Sequence, residues 1–258
     1  MRVGFCQFDI AYKNVEKNLE TIETMLHLVE ADIIVLPELA LTGYYFEDKQ
    51  ELMKLSSDAI NAKVFRKLQA IAKTKSMVIV IGLGEVVEDK LYNTAYIIDD
   101  TGVVGKHRKM HLTNIEGIFT PGDVVEVFEV KGIKLGVAVC FDTWFPELFR
   151  KLTNLGVELI CCPANFGGPW TLDVVRVRAL ENVVPVILSN RLGSEIIHGE
   201  KDYFRGESMI VDGYGNPLLR AYDQPYTGIV DLDLKAYDKN VSLISKNMVL
   251  ERQKHDKK

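Results

Sequence analysis

The chain has 258 residues, 47% of them hydrophobic and 26% charged; it is long enough to bury a large core, and its balance excludes a disordered or collagen-like chain. A net charge of -5 speaks against general nucleic-acid affinity, which depends on a basic surface that displaces counterions from phosphates. No apolar run reaches the roughly 20 residues that span a bilayer, and the N-terminus enters a strand pattern without signal-peptide organisation, so a cytoplasmic protein with no membrane partner is expected.

In chain order, a strand pattern at Val3 to Phe8 is followed by a helical one from Val15 to Ala31, which puts Leu19, Ile22, Leu26 and Val29 on one face. The apolar strand Ile33 to Leu36 runs into Pro37-Glu38-Leu39. A carboxylate there has left much of its water behind, so its pKa should rise toward the range of a general acid or base, although a capping or ion-paired glutamate fits the position as well. A helix over Lys63 to Lys73 and a strand at Met77 to Ile81 come next. Gly82-Leu83-Gly84 follows that strand, but Val87 stands where a dinucleotide loop requires its third glycine.

The strand Ala95 to Ile98 and the turn Asp99-Asp100-Thr101-Gly102 lead into Lys106-His107-Arg108-Lys109. A basic run of this kind usually makes a solvated face; strand alternation sends His107 and Lys109 to one face and Arg108 to the other, and an inward lysine needs an anionic partner. Glu116 lies in a loop closed by Pro121-Gly122. After the Lys131-Gly132 turn, the β-branched run Lys134 to Val139 ends at Cys140, a thiol where a buried strand breaks into a turn at the rim of a sheet. That position suits a nucleophile and equally a small buried hydrophobe. Pro146 opens a helix to Leu155, Leu159 to Cys162 is a strand, and Leu172 to Asn182 is a helix in which Arg178 and Glu181, with Glu147, read as an ion network. Strands at Val184 to Leu188, Ser208 to Val211 and Gly228 to Leu232, with a turn at Asp212 to Asn216, complete the pattern. Helix-separated strands mixed with hairpins indicate one large mixed sheet or two, with helices outside, in a single domain over 1–258 that ends in a short basic tail at about 250–258. The cysteines at 6, 140, 161 and 162 have no zinc-type spacing, so no metal is expected, and all but Cys140 are assigned to the core.

Four segments carry a resemblance: Leu36-Pro37-Glu38-Leu39, Lys106 to Leu112, Glu116 through Phe119-Thr120-Pro121-Gly122-Asp123, and Val139-Cys140-Phe141-Asp142 with Phe145-Pro146-Glu147. Together with Cys162-Pro163-Ala164-Asn165, Arg178 to Asn182 and Gly206 to Asp212, they follow the order and approximate spacing of the nitrilase superfamily of carbon-nitrogen hydrolases, which this chain resembles from Val3 to about Leu234. The resemblance implies an α/β fold, a four-layer α-β-β-α sandwich, and a homodimer. It implies a Glu38-Lys109-Cys140 triad with Glu116 as an additional active-site glutamate, and neither metal nor cofactor. In that scheme Lys109 and the backbone N–H of Phe141 receive the negative charge that develops when the Cys140 thiolate attacks. The corresponding pocket wall would hold Tyr44, Phe46, Trp144, Asn165 and Phe166. The expected substrate is a small non-peptide amide, cleaved through a cysteine thioester with release of ammonia. A nitrile or an N-carbamoyl amine is the alternative, and a catalytically weak subunit that binds a metabolite or partner is the reading outside the enzyme class.

Overall fold

The computed structural model describes residues 1–237 and residue 254; apart from Lys254, the expected basic tail lies outside the described residues. The first half of the chain runs β1 (Arg2–Gln7), α1 (Val15–His27), β2 (Ile33–Val35), α2 (Lys49–Leu55), α3 (Asp58–Lys75), β3 (Val78–Val87), β4 (Lys90–Asp99) and β5 (Gly102–Arg108). The second half runs β6 (Phe128–Val130), β7 (Ile133–Val137), α4 (Pro146–Asn154), β8 (Leu159–Ala164), α5 (Thr171–Asn182), β9 (Val186–Asn190), β10 (Ser194–Ile197), β11 (Glu200–Tyr203), β12 (Met209–Val211), β13 (Pro217–Arg220) and β14 (Tyr226–Asp231).

These strands form two six-stranded sheets, ordered β14-β1-β2-β3-β4-β5 and β13-β12-β9-β8-β7-β6, with β10 and β11 as a separate hairpin. Each sheet has three parallel central strands, β1-β2-β3 and β7-β8-β9, and antiparallel flanks. Parallel strands are apolar on both faces because both are covered, and the period of two decides which cover each side chain meets. In the first sheet Val3, Phe5, Ile33, Val35, Val78, Val80, Ala95 and Ile97 share a buried cluster with Leu135, Val137, Cys161 and Ile187 of the second. The alternating residues Cys6, Ile34, Leu36, Ile79, Ile81, Tyr96 and Ile98 face Leu19, Ile22 and Leu26 of α1 and Val64, Leu68 and Ile71 of α3. On the second sheet, Leu148, Phe149 and Leu152 of α4 and Val175 and Ala179 of α5 are buried in the core. The result is the α-β-β-α sandwich, in which each fully buried Val, Leu or Ile contributes about 1.5–3 kcal/mol.

Several boundaries differ from expectation. Helix α1 ends at His27, because the N–H groups of Leu28 and Val29 bond Met25 O and Leu26 O in a tight last turn. Strand β3 continues through Gly82 and Gly84, and β4 starts five residues early. The β10–β11 hairpin, the short edge strands β6 and β13, and helix α2 carry too little apolar periodicity to be visible as sequence.

Candidate active site

Glu38, Lys109 and Cys140 each stand just past the end of a strand, β2, β5 and β7 respectively. The backbone at Glu38 is fixed by Gly82: a Cβ there would lie 2.5 Å from Glu38 Cα and 2.9 Å from Leu39 N. The close approach is tied by Gly82 N–H to Pro37 O at 3.1 Å and by Ala40 N–H to Gly82 O at 2.9 Å. The Gly82-Leu83-Gly84 signal is therefore a packing requirement inside a strand, not a phosphate loop.

Lys109 is completely buried and its ammonium lies between two buried carboxylates, 2.8 Å from Glu38 Oε1 and 2.7 Å from Glu116 Oε1. The Asn93 side-chain amide donates to the same two oxygens at 2.6 and 3.2 Å. Glu116 Oε2 accepts Thr113 N–H at 2.8 Å, closing a capping box that fixes its rotamer. Burial raises the Glu38 pKa above the ordinary carboxylate value, with Lys109 pulling it down and Glu116 pushing it up. Burial alone would lower the Lys109 pKa, but Glu38 and the other acidic groups around it outweigh that effect and hold it well above the usual lysine value. Among the described residues Glu38 Oε2 has no hydrogen-bond partner.

Cys140 opens a 3-10 turn, Cys140–Trp144, with φ +49°, a left-handed conformation rare outside glycine. Asp142 holds this turn against the end of β5. Its Oδ2 accepts Val139 N–H at 3.0 Å and faces His107 Nε2 at 3.2 Å, while its Oδ1 accepts Met110 N–H and His111 N–H at 3.1 and 2.9 Å and faces His111 Nδ1 at 2.8 Å. Although Asp142 is buried, these partners hold its carboxyl well below the ordinary range. Thr143 Oγ1 donates to Cys140 O at 2.8 Å, and Arg178 donates to Thr143 O at 2.9 Å. The thiol is 4% exposed; burial and Glu38 push its pKa well above the ordinary value, while Lys109 and the Asn165 backbone N–H act in the opposite sense. It lies in the field of the Lys109 ammonium and the Glu38 and Glu116 carboxyl groups.

The other expected pocket residues divide. Tyr44 is buried, with its ring centroid 5.7 Å from Lys109 Nζ and its hydroxyl 3.2 Å from Thr113 Oγ1. Asn165 and Phe166 are buried after β8, and among the described residues neither side-chain polar atom of Asn165 has a partner. Phe46 is also buried, and Phe141 is half-buried and packs edge-on against Phe145. Trp144 is 40% exposed and contributes a carbonyl to Arg178, so the structure sets it at the surface end of the turn. The Arg178–Glu181 pair forms at 2.7 Å, while Glu147 is exposed. Sequence reasoning missed Asn93, although an asparagine within the apolar run of β4 is a readable signal, and it missed Asp142, Arg191 and Glu195 as buried partners. Among the described residues no cluster of three His, Cys, Asp or Glu has a metal-holding arrangement, and no helix is long and apolar enough to cross a membrane. Surface clefts of about 480 Å³ beside Met1 and Asp231 and about 530 Å³ beside Met25 and Tyr226 lie away from this cluster.

Comparison with known proteins identifies the family. The carbon-nitrogen hydrolase family model matches residues 2–239. The chain is 33% identical over 240 residues to a nitrilase of Pyrococcus abyssi, covering 91% of this chain and 90% of that one. It is 33% identical over 249 residues to an N-carbamoylputrescine amidase of Solanum tuberosum, covering 85% and 83%. Among solved structures, a double mutant of the amidase of Nesterenkonia sp. AN1 in complex with acrylamide superposes with a TM-score of 0.81 at 25% identity, covering 98% of this chain and 96% of that chain. The chain belongs to the carbon-nitrogen hydrolase family, within the nitrilase superfamily, and is a hydrolase of carbon-nitrogen bonds other than peptide bonds.

Proposed function

We propose that the protein hydrolyses a small non-peptide amide through a thioester on Cys140. The observation that carries this reading is the buried Glu38 carboxylate. One of its oxygens is fixed by Lys109 and Asn93, the other is without a partner among the described residues, and burial raises both its pKa and that of the Cys140 thiol. A protonated thiol needs a base at the moment of attack, and a carboxyl with a raised pKa is suited to take that proton and return it.

In this scheme Glu38 accepts the Cys140 proton as sulfur bonds to the amide carbon, and the carbonyl π electrons move onto oxygen. Lys109 and the Phe141 N–H stabilise that oxyanion, with donors of this kind contributing about 3 kcal/mol each. Glu38 then protonates the amide nitrogen, the C–N bond breaks, and ammonia leaves a thioester. Water, deprotonated by Glu38, attacks the thioester carbon; the C–S bond breaks, sulfur regains its proton, and the carboxylic acid departs. Glu116 holds Lys109 in place throughout. The unpartnered Asn165 amide and the Tyr44 ring supply substrate contacts, with Phe166 as apolar wall. The relatives include both a nitrilase and an N-carbamoylputrescine amidase; amides and carbamoyl amines are taken as the first substrates to test, with nitriles as the alternative.

The reading extends to one domain over the whole chain, acting without a metal or organic cofactor. It also includes a homodimer, supported by the exposed apolar side chains Trp170, Val177 and Leu180 on and beside α5 with Trp144. A cytoplasmic location suits its four unpaired, buried cysteines. The test is ammonia release on a panel of small amides, carbamoyl amines and nitriles, with mass-spectrometric trapping of the acyl adduct. Turnover of amides, with the adduct on Cys140 and both lost in Cys140→Ala, is the expected result. Unchanged turnover in that variant, or a panel without any turnover, overturns it.

A further inference from the structure

Three buried side chains on the segment that leaves β9 take no part in the reaction above: Asn190, Arg191 and Glu195. Arg191 is completely buried. It pairs with Glu195 Oε1, donates to Leu192 O at 3.0 Å and Ile10 O at 2.9 Å, and lies 4.2 Å from the Phe204 ring centroid. Glu195 receives the Tyr44 N–H at 3.0 and 3.1 Å and the Tyr45 N–H at 2.8 Å. The loop can present both N–H groups because Gly43 has φ +88°, and a Cβ at that position would stand 2.7 Å from Glu195 Oε1.

The consequence reaches the ammonium. With its backbone clamped, Tyr44 sets its ring 5.7 Å from Lys109 Nζ, packs edge-on against Phe204 at 6.1 Å and reaches Thr113 Oγ1, whose backbone N–H in turn bonds Glu116. After β8, Asn190 clasps the Phe166 backbone, accepting its N–H at 2.7 Å and donating to its O at 3.1 Å. A desolvated Arg–Glu pair adds little stability that an apolar pair of equal volume would not. Its place in the fold is better explained by the two N–H groups it directs.

We propose that Glu195, held by Arg191, is a positioning residue for the hydrolytic site, acting through Tyr44 to keep that ring against the Lys109 ammonium. This inference rests on the amide-hydrolase reading for its importance to turnover, and its test separates the two. In the full-length protein, kcat and KM on the best amide of the panel, and the rate at which iodoacetamide alkylates Cys140, are measured for wild type, Glu195→Gln, Tyr44→Ala and the double variant, with thermal melting as a fold control. Glu195→Gln is expected to lower kcat about tenfold with KM within about threefold, and the double variant to match Tyr44→Ala alone, because the glutamate has nothing left to position. The alkylation rates are expected to show the same non-additivity. Losses that multiply in the double variant, or a Glu195→Gln protein with wild-type kcat and alkylation rate, overturn the proposal. If wild type turns over no amide, the amide-hydrolase reading falls, and the alkylation cycle alone decides the clamp. Where Glu195→Gln melts too low, Arg191→Met combined with Glu195→Leu replaces it in the same cycle with the same expected and refuting results.

Discussion

Replacing Lys109 by methionine keeps the volume of the side chain and removes the one cation held between Glu38 and Glu116. At an effective dielectric of about 20, 332/(εr) assigns about 6 kcal/mol of attraction to each of the contacts at 2.8 and 2.7 Å. Desolvation of three buried groups offsets most of this, and breaking such a cluster from one side costs about 3–5 kcal/mol. The loss is pH-dependent. Burial already raises the Glu38 pKa and Lys109 lowers it, so without the ammonium the folded-state pKa rises further above the ordinary 4.5. A raised folded-state pKa gives stability that is complete below the unfolded value and is lost as pH rises through the folded one. The gap between wild type and Lys109→Met in urea unfolding should therefore widen as pH rises past the already raised wild-type Glu38 value, by up to about 1.4 kcal/mol per pH unit. In the same samples kcat should fall at least about a thousandfold, because an oxyanion donor is gone and the base is protonated. A gap independent of pH, or a kcat within about tenfold of wild type, refutes the reasoning.

Asp142→Asn should cost about 3 kcal/mol, since the buried carboxylate serves three backbone N–H groups and two imidazoles. Because the folded Asp142 pKa is depressed, its stabilising effect is present above the ordinary 3.8 and fades as pH falls toward the folded value, so the gap between the two proteins in urea should close on acidification; a constant gap counts against the assignment. Gly82→Ala places a Cβ 2.5 Å from Glu38 Cα and should cost about 1–3 kcal/mol in overpacking while lowering kcat. Gly117→Ala, which meets nothing within 4 Å, is the control, and equal melting temperatures for the two variants would contradict the close-approach argument. Burial pushes the Cys6 thiol up to about 12 from 9.0, so its stability is intact below pH 9 and is lost as pH rises toward 12. Cys6→Ala should remove up to about 1.4 kcal/mol per pH unit from the alkaline slope of unfolding, and an unchanged slope would show that the thiol does not ionise on unfolding.

Much of the sandwich is legible in the chain. The runs around Ile33, Val78, Leu135 and Ile160 are apolar on both faces because each strand is covered on both sides, by the opposite sheet and by a helix. The spacing of Leu19, Ile22 and Leu26 marks the face of α1 toward its sheet. Glu38 and Cys140 are legible for a related reason, since a charged or nucleophilic group just past an apolar strand is held at a rim with little water, whereas Lys109 follows the mostly exposed, basic strand β5 and is marked only by the family resemblance.

Composition and periodicity thus determine the α/β class, most strand and helix positions and the residue types at the strand ends, because these follow from local pattern and burial of apolar surface; the four layers came from the family resemblance. Pairings between segments far apart in sequence are decided only by tertiary structure: Lys109 with Glu38 across 71 positions, His107 with Asp142 across 35, and Glu195 with the Tyr44 backbone across 151. No local pattern marks Glu195 as a buried acceptor on a mostly exposed hairpin, nor Gly82 as the floor beneath Glu38. Both roles arise from which backbone groups the packed sheets bring within hydrogen-bonding distance, and that is a property of the assembled fold.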